Sequence, residues 1–301
     1  MPEAAASSNR VIIGVHGLSR KPPERQLTDD WLRSLQEGLS RNCGLEVGQE
    51  RLGLKLVYWA DWLNAQPYGP GEDHEPYTPA PGDGSLPEYR NRWFDKVLVE
   101  VLDGVADPID WGSGQQPLEW LKKHIGLDEV ATRLLQKRLV DLGTYYADQE
   151  KRALLRGRLA TALAAHRGER IMVISHSMGS IIAYDVLRDL GREWTGLQID
   201  HLITIGSPLG MPYVLYKIGQ ENASIRTPSI VRRWTNLADR RDPIAVDVHL
   251  ADEFEPNDQG VSVEDRLIIN GYVAPSGKPN HHKIYGYLRA PELSQLVKSF
   301  I

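Results

Sequence analysis

The chain is poor in cysteine, with one in 301 residues, Cys43. A single thiol forms no intrachain disulfide and excludes any multi-thiolate zinc or iron–sulfur site. It also lacks a basic excess: 35 Lys and Arg stand against 40 Asp and Glu, a formal net charge of −5. Nucleic-acid binders release counterions with a concentrated basic face, so a nucleic-acid partner is not expected. No run of apolar residues approaches the roughly 18 needed for a membrane span, and MPEAAASSNR has no basic start followed by an apolar stretch. These features predict a cytoplasmic protein. His74, His124, His166 and His249 show no metal-ligand spacing, so neither a metal site nor a cofactor is expected.

What is present is alternation. Val11 to Val15 is a short β-branched run ending in His16-Gly17-Leu18, and it reads as a buried parallel strand that meets a Gly-bearing loop. A helix with Thr28 as its N-cap follows, carrying Trp31, Leu32, Leu35 and Leu39 at helical spacing. Leu54 to Trp59, Arg170 to Ser175, His201 to Gly206 and Ile230 to Leu237 read as further strands, and 267–273 is ambiguous between strand and loop. Residues 148–166, 178–190 and 291–301 read as helices, with Asp185 on the surface of the second. Strands alternating with helices predict an α/β fold: a mostly parallel sheet covered on both faces.

Residues 64–146 break the alternation. Their first half carries Pro67, Pro70, Pro76, Pro79, Pro81 and Pro87, and their second half places Leu118, Leu121, Ile125, Val130, Leu134 and Leu139 at roughly helical spacing. The segment is expected to be an inserted cap, mobile between Tyr68 and Pro87. The main body is then 1–63 with 147–301. Trp59, Trp62, Trp93, Trp111 and Trp120 in or beside the insertion are expected to pack it onto the body. Trp111, Leu118 and Trp120 are candidates to bound an apolar substrate cavity. Basic residues Lys122, Lys123, Arg133, Lys137 and Arg138 near them could offer peripheral membrane contact.

The chemistry concentrates at Ser175-His176-Ser177-Met178-Gly179, between a predicted strand and helix. A sharp turn there strains the central residue and admits only small side chains two places to either side, which favours Ser177 over Ser175 as nucleophile. A serine hydroxyl needs a base to take its proton and an acid to orient that base. Asp242, with Pro243 fixing the turn behind it, is the choice of acid, and Asp239 and Asp247 are the alternates. His281-His282 supply the base from one of the pair. Leu18 and Met178 occupy the positions whose backbone N–H groups would stabilise an oxyanion, and Gly17 lets that loop approach closely. His16 reads as a hydrogen-bonding neighbour of the site, not as a proton carrier.

At these residues the chain resembles the α/β-hydrolase superfamily, on its lipase and esterase side, with the nucleophile, acid and base in that superfamily's order. SHSMGSIIAYDVL and TIGSPLG also resemble segments of DDHD-type intracellular phospholipases A1 and related bacterial esterases. The resemblance implies an α/β-hydrolase fold with an inserted cap, and a serine hydrolase of carboxylic esters, small or lipid, that works through an acyl-enzyme. It favours His282 over His281, and it places His176 and Ser207 around the pocket. Acyl transfer or thioester hydrolysis by the same residues, and a catalytically silent binding protein on the same fold, are the rival readings.

Overall fold

The computed structural model describes residues 10–63, 66–69, 71–80, 142–194 and 196–301. Among the described residues, six strands form one parallel sheet: β1 (Arg10–Val15), β2 (Leu54–Val57), β3 (Arg170–His176), β4 (His201–Ile205), β5 (Trp234–Ala238) and β6 (Val263–Leu267), in the order β2-β1-β3-β4-β5-β6. The order reverses at β1 and β3, and the C-terminal ends of adjacent strands at such a switch point form the crevice where α/β proteins place their sites.

The alternation of side chains along the strands divides the core in two. Val11, Ile13 and Val15 of β1 with Ile171 and Val173 of β3 face one side. There they meet α4 (Gln149–Ala165), α5 (Met178–Glu193) and α6 (Pro212–Glu221). Ile12, Met172, Ile174, Ile203 and Ile205 face the other side. It is closed by α1 (Glu24–Cys43), α7 (Ile284–Leu288) and α8 (Pro291–Phe300), while the short helices α2 (Gln49–Leu52) and α3 (Ala60–Leu63) flank β2. The fold is that of an α/β hydrolase, with helices on both faces of the sheet.

Several elements depart from the sequence reading. Helix α1 starts at Glu24 behind Pro23, and Thr28 lies inside it, returning its hydroxyl to the Glu24 carbonyl at 2.8 Å. The sixth strand is not 267–273 but the polar VEDRL of β6. An edge strand has one neighbour and tolerates charge, while Ile268, in the apolar run just beyond, is buried in the core. Asp185 is buried, not on the helix surface, because α5 is central and covered around most of its circumference. Its carboxylate meets Arg152 Nη2 at 2.6 Å and accepts from Tyr145 OH at 2.8 Å, and burial raises its pKa. Helix α6, which the sequence reading leaves unassigned, opens on Pro212 at its first turn.

Most of the expected cap, including Trp93, Trp111, Leu118 and Trp120, lies outside the described residues. Its described beginning is tied down: Tyr272 OH donates to Pro76 O at 2.8 Å, Arg289 Nη1 to Thr78 O at 2.7 Å, and Ala80 N to Glu37 Oε1 at 2.7 Å. Residues 71–80 thus form a strap over α1 and the C-terminal loops. Trp59 packs into the body, stacked on the His16 ring. Among the described residues, no helix is long and apolar enough to cross a membrane, and no group of acidic, His and Cys side chains is arranged to hold a metal ion.

Candidate active site

Strand β3 ends at His176, and α5 begins two residues later at Met178. Ser177 alone makes the turn. Its backbone is at φ 54°, ψ −132°, a conformation that non-glycine residues adopt only under constraint. The constraint comes from both sides. A Cβ on Gly179 would lie 2.5 Å from Val15 O and 2.7 Å from His16 O, so position 179 must be glycine for the helix to seat against β1. The position two before the serine is less demanding: Ser175 stays in the strand, its hydroxyl donating to Ile203 O at 3.3 Å, away from the turn.

Three side chains from three separate elements meet here. Ser177 Oγ lies 3.0 Å from His282 Nε2, and His282 Nδ1 lies 2.8 Å from Asp242 Oδ2. Asp242 follows β5 and is anchored by Ile244 N, which donates to its Oδ1 at 2.8 Å. All three are buried, which strengthens the attraction between the carboxylate and a protonated imidazole. Gly206 directly follows β4, at φ 52°, and a Cβ there would lie 2.7 Å from Asp242 Oδ2 and 3.3 Å from His282 Nδ1. Glycine lets β4 end directly beneath the acid and base.

The alternates stand elsewhere. Asp239 accepts Arg241 N (2.8 Å) and Nε (3.0 Å) on one oxygen, and Asn270 N and Arg241 Nη2 (each 2.7 Å) on the other. It is a fully occupied scaffold for the loop after β5. His281 turns toward Asp239, with Nδ1 3.9 Å from its carboxylate, and burial together with Arg241 lowers its pKa.

Around these residues lie the expected neighbours. Leu18 and Gly17 follow β1, and a Cβ on Gly17 would sit 2.7 Å from Ser177 Cβ, so this loop runs against the serine. The Met178 N–H lies in the first turn of α5, where helix geometry provides no intrahelical acceptor. His16 takes the neutral form with the proton on Nδ1: Nδ1 donates to Gly17 O at 2.8 Å, and Nε2 accepts from Trp59 N at 3.0 Å. Burial and the nearby Lys21 push its pKa down to about 3, so it fixes the loop and takes up no second proton at neutral pH. His176 donates from Nε2 to His282 O at 3.0 Å and lies under the His282 ring, centroids 4.7 Å apart. Ser207 is buried just past Gly206, its Oγ accepting from Leu209 N at 3.2 Å.

Sequence reasoning missed three groups. Tyr287 OH donates to Asp242 Oδ2 at 2.8 Å and accepts from Asp239 N at 3.1 Å, which joins the two carboxylates' turns. Burial and the Asp242 charge hold that phenol well above its ordinary pKa, so it remains a donor. Asn270 Nδ2 donates to His281 O at 2.9 Å and Lys283 O at 2.8 Å, bracketing the base. Asn280 Oδ1 accepts His282 N at 2.9 Å. The asparagines carry no signal of their own in sequence, since Asn in a loop most often serves its own turn. Tyr287 could have been found as an aromatic about one helical turn beyond the base.

Comparison with known proteins bears on one stretch. Residues 146–222 match the family model of lecithin:cholesterol acyltransferase, a family of α/β-hydrolase type. The match runs from just before α4 to the end of α6, and includes Ser177 but neither Asp242 nor His282. No curated protein gives a match. The family that matches is not the phospholipase A1 group of the narrower resemblance, and the likeness indicates a lipase-like, ester-handling protein of α/β-hydrolase fold.

Proposed function

We propose that this protein is a serine hydrolase of carboxylic esters. The observation that carries the reading is the Ser177–His282–Asp242 chain of hydrogen bonds at 3.0 and 2.8 Å, with the serine on a strained strand-to-helix turn. Ser177 Oγ attacks the ester carbonyl carbon while His282 Nε2 takes its proton. Asp242 holds the imidazole in the Nδ1–H tautomer and offsets the positive charge that develops. The negative charge on the carbonyl oxygen is met by the N–H groups of Met178 and Leu18. His282 then returns the proton to the leaving alkoxide, and a water activated by the same ring clears the acyl group from Ser177.

A second reading, acyl transfer to an alcohol in place of water, is favoured by the name of the matching family. It uses the same residues and differs only in what attacks the acyl-enzyme. A fluorophosphonate probe tests both: it should label the folded protein at Ser177, as read by peptide mass, and should not label the Ser177→Ala variant. Unlabelled folded protein, or labelling that persists in Ser177→Ala, would overturn the proposal. Product analysis with an added long-chain alcohol then separates acid release from transesterification.

A further inference from the structure

The strap, residues 71–80, reaches the base through one side chain. Both Glu75 carboxylate oxygens lie 2.8 Å from Asn280 Nδ2. The other end of that amide, Asn280 Oδ1, accepts His282 N at 2.9 Å. An asparagine side chain reads the same from either end until a partner sets its direction. Here Glu75 sets it. A carboxylate accepts only, so it holds the NH2 end outward and leaves the oxygen for the His282 backbone. Turned over, the amide would present NH2 to an N–H, and His282 N would lose its acceptor.

Lys283, the next residue after the base, reinforces this. Its side chain is mostly covered, its Nζ lies 3.8 Å from Glu75 Oε2, and it packs over the Tyr285 and Tyr272 rings at 5.2 and 5.8 Å. Asp30 of α1 and Asp73 of the strap also face this ammonium, as does Glu75, and all three favour its charged form against burial. The strap therefore brings two carboxylates, Asp73 and Glu75, to a loop that carries a buried cation and the base. Within the 280–283 turn the His282 N–H is held by the Asn280 oxygen that Glu75 orients, beside the Lys283 N to Asn280 O bond at 3.1 Å, and a displacement of about 1 Å there can cost about a hundredfold in rate.

We infer that Glu75 is a positioning residue for the base: through Asn280 it fixes the backbone of His282, so that the strap at the start of the 64–146 insertion sets how well His282 meets Ser177. The inference rests on the proposed ester hydrolysis for its kinetic readout, but its structural content does not. Glu75→Ala should lower kcat for a short soluble ester by about tenfold with KM within about twofold, because the base is misplaced and the substrate contacts are not. Glu75→Gln, which keeps an acceptor for Asn280, should restore kcat to within about threefold of wild type. Asn280→Asp should be impaired like Glu75→Ala, since two carboxylates then face one another. Combining it with Glu75→Gln, whose amide can donate to that aspartate, should recover most of the loss.

A proton NMR spectrum reads the same geometry without substrate: the downfield His282 Nδ1–H resonance, bonded to Asp242, should broaden or vanish in Glu75→Ala and return in Glu75→Gln. An unchanged resonance and an unchanged kcat in folded Glu75→Ala would overturn the inference, as would a rise in KM alone. If the wild-type protein hydrolyses no ester and resists the probe, the hydrolase reading has failed, and the resonance series still decides the role of Glu75.

Discussion

Two buried aspartates three residues apart make opposite predictions. In Asp242→Asn one carboxylate oxygen becomes an NH2 group, and neither placement suits the site. With NH2 at the Oδ2 position it confronts the His282 Nδ1–H and Tyr287 O–H, both at 2.8 Å in the wild type. The imidazole must then shift its proton to Nε2, the atom that has to accept from Ser177 at 3.0 Å. With NH2 at the Oδ1 position it faces Ile244 N–H and loses one hydrogen bond to a carboxylate, about 1.5 to 3 kcal/mol. The second placement is the cheaper for the fold, but it also replaces the carboxylate that offsets the imidazolium by a neutral amide. Stability should therefore fall by about 1.5 to 3 kcal/mol. Turnover should fall by about 10³ to 10⁴, since either placement removes the charge and the first also forces the wrong tautomer.

Asp239→Asn reverses the pattern. All four donors on Asp239 come from backbone N–H groups or the Arg241 guanidinium, so an NH2 on either oxygen meets donors. The loss should be about 2 to 4 kcal/mol of stability, with kcat of the folded enzyme kept within about tenfold. Urea unfolding followed by circular dichroism, with initial rates on a short soluble ester normalised to folded protein, measures both quantities. Equal kcat losses for the two variants, or more than a tenth of wild-type kcat in Asp242→Asn, would refute the assignment of the acid.

Three further outcomes follow from the same geometry. Tyr287→Phe removes a donor to Asp242 and leaves Asp239 N–H buried without its acceptor, so urea unfolding should show a loss of about 2 to 3 kcal/mol and steady-state kinetics a kcat lower by about three- to thirtyfold. Gly206→Ala should cost about a hundredfold in kcat, because its Cβ meets Asp242 at 2.7 Å; Gly44→Ala, at a similar φ of 60° with no atom within 4 Å, should pay only about 1 kcal/mol of backbone strain and keep full activity. Asp30, its pKa raised to about 6 chiefly by burial, against the opposing effect of Arg33, holds its proton in the folded state through a range where the unfolded chain has lost it. Its contribution to stability is thus present below pH ~4 and lost as pH rises through about 6, so Asp30→Asn should raise the urea midpoint at pH 8 by the equivalent of about 1 to 2 kcal/mol and leave it unchanged at pH 4.

What the sequence determined by itself was local. The β-branched runs at 11–15 and 170–175 could only be buried strands, and the period-2 pattern sends Val11, Ile13 and Val15 to one side and Ile12 to the other. Small residues around Ser177 announced the turn, although the clash that demands glycine at 179 is with the carbonyls of Val15 and His16. Asp242 was legible through its place after a strand and before Pro243. Where spacing in sequence says nothing, only the tertiary structure decided. His281 and His282 are equivalent by composition; the loop's geometry turns one to Asp239 and the other to Ser177, 105 residues away in sequence. Asp185 looked like a surface residue because α5 reads as amphipathic, and it is buried because α4 and Arg152 cover its outer side. Tyr287 acts on the acid across 45 residues of sequence, and Glu75 reaches the base across 205 through Asn280, two residues before it. Such contacts depend on where separate elements dock, which the sum of packing over the whole sheet fixes and no local pattern encodes.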